Sequence, residues 1–160
     1  MDLEQLKRIK ILVTDVDGVL TDGGITYHSD GSESKTFNVK DGQIVKFLRK
    51  RGIKVGVITG RSSNIVQRRC EELGFDFIDQ GVEDKLGNLN AHLKKLQLDL
   101  ANVAYIGDDI NDLETLKQVG FSACPSDAVD VVKQSVHYVS NKSGGKGVFR
   151  DVADLILINK

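Results

Sequence analysis

Two aspartates, Asp15 and Asp17, open the segment DVDGVLT (15–21) directly after the apolar run IKILVT (9–14). Alternation along an extended chain puts both carboxylates on one side, close enough to share a substrate. Such a pair needs positive charge between its members, either a metal ion or a proton. Alone, two aspartates beside a glycine suit a solvated turn or a helix cap equally well.

Two more strand ends add to the pair. Thr59-Gly60-Arg61 closes the apolar run IKVGVIT (53–59). A hydroxyl, backbone N–H groups and the start of a helix make an anion site there, and Arg61 adds a planar fork for oxyanions. The plain alternative is a Thr-Gly turn with Arg61 on a solvated face. Gly107-Asp108-Asp109-Ile110-Asn111-Asp112 follows the run VAYI (103–106). Carboxylates this dense after a buried strand suit a hard cation such as Mg²⁺, or else an acidic helix start. Lys85 falls near the start of a helix, where the dipole opposes a cation, and that misfit favours anion binding. In chain order these features supply a nucleophilic carboxylate, a hydroxyl, a lysine and an acidic metal site. Together they describe phosphoryl transfer, with an aspartyl-phosphate as the intermediate and Mg²⁺ allowing two anions to meet.

Positioning these groups requires strands that end at one edge. The runs 9–14, 53–59 and 103–106 are short, apolar and β-prone, as strands of a parallel sheet buried on both faces are. Residues 75–78, 119–123 and 136–139 are weaker strand candidates. Helical spacing occupies 42–51, 62–73, 84–98, 111–118 and 148–157. The alternation predicts an α/β fold, a doubly wound parallel sheet of Rossmann type, in which ligands gather at the carboxyl ends of strands. One segment departs from it. Residues 25–27 and 35–39 alternate around Ser29-Asp30-Gly31-Ser32, which predicts a β-hairpin flap spanning about 24–39. The stretch 141–147 (NKSGGKG) reads as a flexible start to a tail, about 141–160.

The composition is that of an ordinary globular chain. It has 160 residues, 40% of them hydrophobic, and a formal net charge of -1. This suits one domain over 1–160. The charge argues against nucleic-acid binding, and no run is long enough to span a membrane. The N-terminus lacks the apolar core of a signal peptide. Cys70 and Cys124 are too few for a disulfide framework and read as thiols in a reducing cytoplasm.

The motifs DVDGVLT, TGR (59–61), Lys85 and GDDIND (107–112) resemble, in order, the four motifs of the haloacid dehalogenase superfamily of phosphatases. The wider segments DVDGVLTDGGITY, ITGRSS, QGVEDKL, YIGDDINDL and GGKGVFRD resemble its sugar-acid phosphatase branch. That branch acts on 3-deoxy-D-manno-octulosonate 8-phosphate, and close relatives act on nonulosonate 9-phosphates. The resemblance implies a capless fold, Mg²⁺ as cofactor, a phosphorylated sugar acid as substrate and a homotetramer. It also implies a role in lipopolysaccharide precursor biosynthesis.

By position it makes Asp15 the nucleophile and Asp17 the acid/base. Asp15, Asp108 and the backbone carbonyl of Asp17 would be the metal ligands, with Asp109 and Asp112 just behind them. Thr59, Gly60 and Lys85 would hold the phosphoryl group, and Arg61, Arg69 and Lys146 would contact substrate. The hairpin and a neighbour's tail would cover the site; the apolar Phe149 itself reads as an anchor for that tail in a neighbouring groove. A phospho-accepting receiver domain is the reading from another class. It places its acidic pair before the phospho-acceptor, whereas here the acids are split between 15–17 and 108–112.

Overall fold

The computed structural model describes residues 3–160. Six strands form one parallel sheet: β1 (Ile11–Thr14), β4 (Lys54–Ile58), β5 (Phe77–Asp79), β6 (Val103–Ile106), β7 (Phe121–Cys124) and β8 (Tyr138–Val139), in the order β5-β4-β1-β6-β7-β8. The chain winds outward from β1 in one direction through β4 and β5, then restarts at β6 on the other side. The switch point of the sheet therefore lies between β1 and β6, and doubly wound sheets open a ligand crevice at such a point. Register aligns the strand ends, with Thr14 beside Val57 on one neighbour and Ile106 on the other. The Asp15 N–H donates to Ile106 O at 2.9 Å, so Asp15 is pinned to the strand that leads into Gly107-Asp108.

Both faces of the sheet are covered. Leu12, Val55, Val57 and Ile106 face a core completed by α1 (Leu3–Arg8), α2 (Val39–Lys50), α3 (Asn64–Leu73) and α7 (Val148–Ile158). Ile11, Val13, Ile58 and Tyr105 point the other way, toward α4 (Lys85–Leu96), α5 (Leu113–Leu116) and α6 (Asp130–Lys133). The period of two explains why these strands read as apolar on both sides. The short helices α1 and α6 lie where the sequence showed no helical signal, being too brief for a periodic pattern.

The hairpin departs from expectation. Its strands are β2 (Thr26–Tyr27) and β3 (Glu33–Ser34), paired Thr26↔Ser34 and Tyr27↔Glu33. The alternation in the sequence puts the second arm at 35–39, but β3 ends at Ser34 and α2 already starts at Val39. Asn38 caps that helix, its side chain accepting the Lys40 N–H at 2.9 Å. Gly42 lies inside α2 rather than at its start, and α3 packs close there: a Cβ at Gly42 would stand 2.5 Å from Arg69 Nη2. Phe37 packs half-buried on its own core, while Ile25 and Tyr27 face solvent.

The anchor expected in the tail also differs. Phe149 does not reach for a neighbouring groove. It is fully buried in its own core, 6.1 Å from the Phe75 ring. Gly144 and Gly145 dock on the loop after β1, with the Gly145 N–H donating to Val19 O at 2.9 Å and the Gly144 N–H to Asp127 Oδ1 at 2.9 Å. A Cβ on Gly144 would lie 2.2 Å from Gly18 O, so backbone meets backbone there.

Candidate active site

Asp15 follows β1 directly and is nearly buried. Its Oδ2 lies 3.2 Å from Lys85 Nζ, and its Oδ1 has no partner in hydrogen-bond geometry among the described residues. Lys85 is the first residue of α4 and one of the largest fully buried side chains. Two carboxylates justify a cation in that place, because its ammonium also donates to Asp112 Oδ1 at 2.7 Å. Burial works against the Lys85 charge, but Asp15 and Asp112 outweigh it and its pKa is raised.

Asp112 is the hub beneath the site. Besides Lys85, its Oδ1 accepts the Tyr105 hydroxyl at 2.9 Å, and its Oδ2 accepts the Asp108 N–H at 3.1 Å and the Asp109 N–H at 3.4 Å. A carboxylate so fully engaged holds the 107–112 loop rather than offering itself to a ligand. Asp109 is turned to local duty, its Oδ1 accepting the Ile110 N–H at 2.7 Å. Asp108 has no such commitment and stands beside Asp15.

Ligand atoms of Asp15, Asp108 and Asp112 all lie within 4.8 Å of one another. Like charges so close raise one another's pKa. Asp108 is pushed up to about 7, by burial first and then by Asp15 and Asp112. Asp15 is also raised, by burial and then by Asp112, with Lys85 pulling the other way. An all-oxygen set with surplus negative charge fits a hard divalent cation. No histidine or cysteine joins this cluster.

A cavity of about 160 Å³ opens above these groups, lined by Asp15, Asp17, Thr59, Gly60, Arg61, Asp108 and Asp109, with Asn111 at its wall. The structure therefore brings together the expected groups from the ends of β1, β4 and β6, with Lys85 beneath them. Thr59 is buried, and its N–H donates to Asp79 O at 2.9 Å, tying the loop after β4 to the end of β5. Arg61 Nη2 lies 3.4 Å from the Tyr27 hydroxyl and 3.6 Å from Glu33 Oε2, both on the hairpin. Two expected contacts are not in this cavity. Arg69 lies in the groove between α2 and α3, pairing with Glu72 at 3.2 Å, and Lys146 is an exposed residue of the docked tail.

The sequence reading missed Tyr105, Asn111, Glu33 and Lys35. Tyr105 carried a signal, as the one polar group in the strand VAYI. Lys35 carried none, since its spacing matched an exposed strand position.

The strand order, the strand-end aspartates and the buried lysine define a class of phosphoryl-transfer enzymes. A family model for haloacid dehalogenase-like hydrolases matches residues 33–120, and the chain belongs to that family. Among its relatives, 3-deoxy-D-manno-octulosonate 8-phosphate phosphatase from Yersinia pestis is 40% identical over 156 residues, covering 98% of this chain and 83% of the relative. The enzyme of the same name from Escherichia coli K12 is 38% identical over the same length and coverage. The fold matches the crystal structure of the Moraxella catarrhalis phosphatase of that name, in complex with magnesium, phosphate and KDO. Its TM-score is 0.96 at 42% identity, over 99% of this chain and 91% of that one. The cobalt-bound Haemophilus influenzae enzyme matches with a TM-score of 0.92 at 39% identity, over 97% of this chain and 91% of that one.

Proposed function

We propose that this chain is a Mg²⁺-dependent phosphoric monoester hydrolase that converts 3-deoxy-D-manno-octulosonate 8-phosphate to the free sugar acid and phosphate, a step of lipopolysaccharide precursor biosynthesis. The observation that carries the chemistry is Asp15: a carboxylate at the sheet's switch point, held through one oxygen by Lys85, with the other oxygen unpartnered beside the cavity. The sugar-acid substrate rests on the relatives.

In this reading Asp15 attacks phosphorus, and the bond from phosphorus to the sugar oxygen breaks. Asp17 gives that oxygen its proton. Asp17 then takes a proton from water as the water attacks the aspartyl-phosphate, releasing phosphate and restoring Asp15. Thr59, Gly60 and Lys85 hold the phosphoryl oxygens. Asp15, Asp108 and the Asp17 carbonyl would hold the cation, which would neutralise the charge that keeps phosphate and carboxylate apart. Asp109 and Asp112 keep the 107–112 loop in place.

Arg61 faces the sugar end. Arg69 and Lys146 lie outside the cavity of their own chain, so contact with substrate calls for a second copy. A homotetramer, with the exposed Ile25 and Tyr27 covered by a neighbour, meets that need. Residues 1–160 make one such domain, and the cytoplasm suits two free, buried thiols. Among the described residues no helix is long and apolar enough to cross a membrane.

The test is phosphate release from a panel of eight- and nine-carbon sugar-acid phosphates with Mg²⁺. Preference for the eight-carbon ester supports the reading. A nine-carbon preference moves the substrate to the nonulosonates, and no release from any of them refutes the activity. Light scattering reads the tetramer separately.

A further inference from the structure

Lys35 belongs to none of the four motifs, yet its side chain is only 2% exposed and its ammonium is hydrogen-bonded to Asp17 Oδ1. It stands immediately after β3, at the root of the hairpin. The same hairpin touches the loop after β4 through Glu33, which accepts the Ser63 hydroxyl and lies 3.6 Å from Arg61. Of these contacts Lys35 is the one that reaches a carboxylate of the cavity. Burying a long lysine side chain sacrifices both hydration and rotamer freedom, so a solvated lysine gains nothing by lying there.

The effect on Asp17 is visible in the geometry. Asp17 lines the same cavity as Asp15 and Asp108. Nevertheless the carboxylates gathered within 4.8 Å of one another are Asp15, Asp108 and Asp112, without Asp17. Lys85, the other buried ammonium of the site, is committed to Asp15 and Asp112. An aspartate on a loop, free to rotate beside a divalent cation, would be drawn onto it as a further oxygen ligand. A ligand held that way can no longer meet the ester oxygen.

We propose that Lys35 is a positioning residue that holds the Asp17 carboxylate away from the cation cluster and so keeps it available for proton transfer. The inference rests on the phosphatase reading of Asp17. It also makes a seated hairpin a condition for a working acid/base, which ties the flap to the chemistry through a single side chain.

The experiment compares full-length wild type with Lys35→Met, Lys35→Gln and Lys35→Arg. Calorimetry reads Mg²⁺ binding without substrate, and steady-state assays on the sugar-acid phosphate read kcat and KM. In the Met and Gln variants Mg²⁺ should bind at least as tightly as in wild type, because Asp17 is released to it. Their kcat should fall by about 100-fold, the usual scale of general acid–base catalysis, with KM changed by less than about 3-fold. Lys35→Arg should restore most of kcat. Mg²⁺ binding that weakens in the Met and Gln variants would reduce Lys35 to a support of the fold and overturn the proposal. A kcat within about 3-fold of wild type in both would overturn it too. The Mg²⁺ measurement stands without turnover, whereas wild-type protein that releases no phosphate speaks against the phosphatase reading.

Discussion

Gly18 and Asp108 leave no room for a side chain between them: a Cβ on Gly18 would lie 2.0 Å from Asp108 Oδ2. Gly18 also has φ +87°, in the left-handed region where a side chain is strained. The loop after β1 thus passes over the end of β6 closely enough for the Asp15 and Asp108 carboxylates to share one ion. Gly18→Ala should cost about 1–2 kcal/mol of stability through backbone strain. It should also weaken Mg²⁺ binding about 10- to 100-fold by displacing Asp108. Calorimetric titration with Mg²⁺ checks this, and a wild-type affinity would show that the loop can yield.

Asp15→Asn should stop turnover, by at least about 10⁴-fold, because an amide is a poor nucleophile and nothing else in the cavity replaces it. The fold should survive, since the amide keeps the shape of the carboxylate and removes one of three crowded negative charges. Phosphate release together with a thermal melt reads both. A rate within tenfold of wild type (about 1.4 kcal/mol of barrier) would remove Asp15 from its role.

Stability in the absence of metal should respond to pH in a definite sense. The Asp15 and Asp108 carboxyls are raised above the ordinary 3.8, Asp108 to about 7. The folded state therefore binds these protons more tightly than the unfolded chain, and metal-free stability falls as pH rises from about 4 to about 7. Mg²⁺ relieves the same repulsion. The rise in melting temperature on adding Mg²⁺ should thus be small at pH 5.5 and larger at pH 8. An increment that does not change with pH would contradict the charge argument.

Asp41 offers a second, separable titration. It is buried, and its Oδ1 accepts the Arg150 N–H at 2.7 Å, capping α7, whose own cap residue Gly147 has no side chain to offer. Its Oδ2 has no partner among the described residues. Burial raises its pKa to about 6, opposed by the Arg150 N–H and charge. The ionised form is the costly one, so this contribution to stability is lost between about pH 4 and pH 6. Asp41→Asn keeps the accepting oxygen and avoids the charge. The variant should match wild type near pH 4 and exceed it by up to roughly 3 kcal/mol above pH 6. Denaturant unfolding at the two pH values measures the difference, and equal stability at both would show that the charge is well accommodated.

The sequence by itself determined the groups and the edge of the sheet where they meet. Asp15, Thr59 and Asp108 each follow an apolar run, and a parallel sheet can only bring the ends of such runs together at one edge. Lys85 was legible because a cation at a helix start is a misfit that needs anions nearby. What tertiary structure decided is the division of labour among like residues. Asp108 and Asp112 look equivalent in GDDIND. They differ because Asp112 falls beneath the loop, where Lys85, Tyr105 and two backbone N–H groups saturate it. Asp15 and Asp17 look like one pair, but Lys35 takes Asp17 aside. The second hairpin arm and Phe149 were misread for the same reason. Alternation and apolarity show that a side chain is to be buried, and only long-range packing fixes whether its own core or another surface receives it.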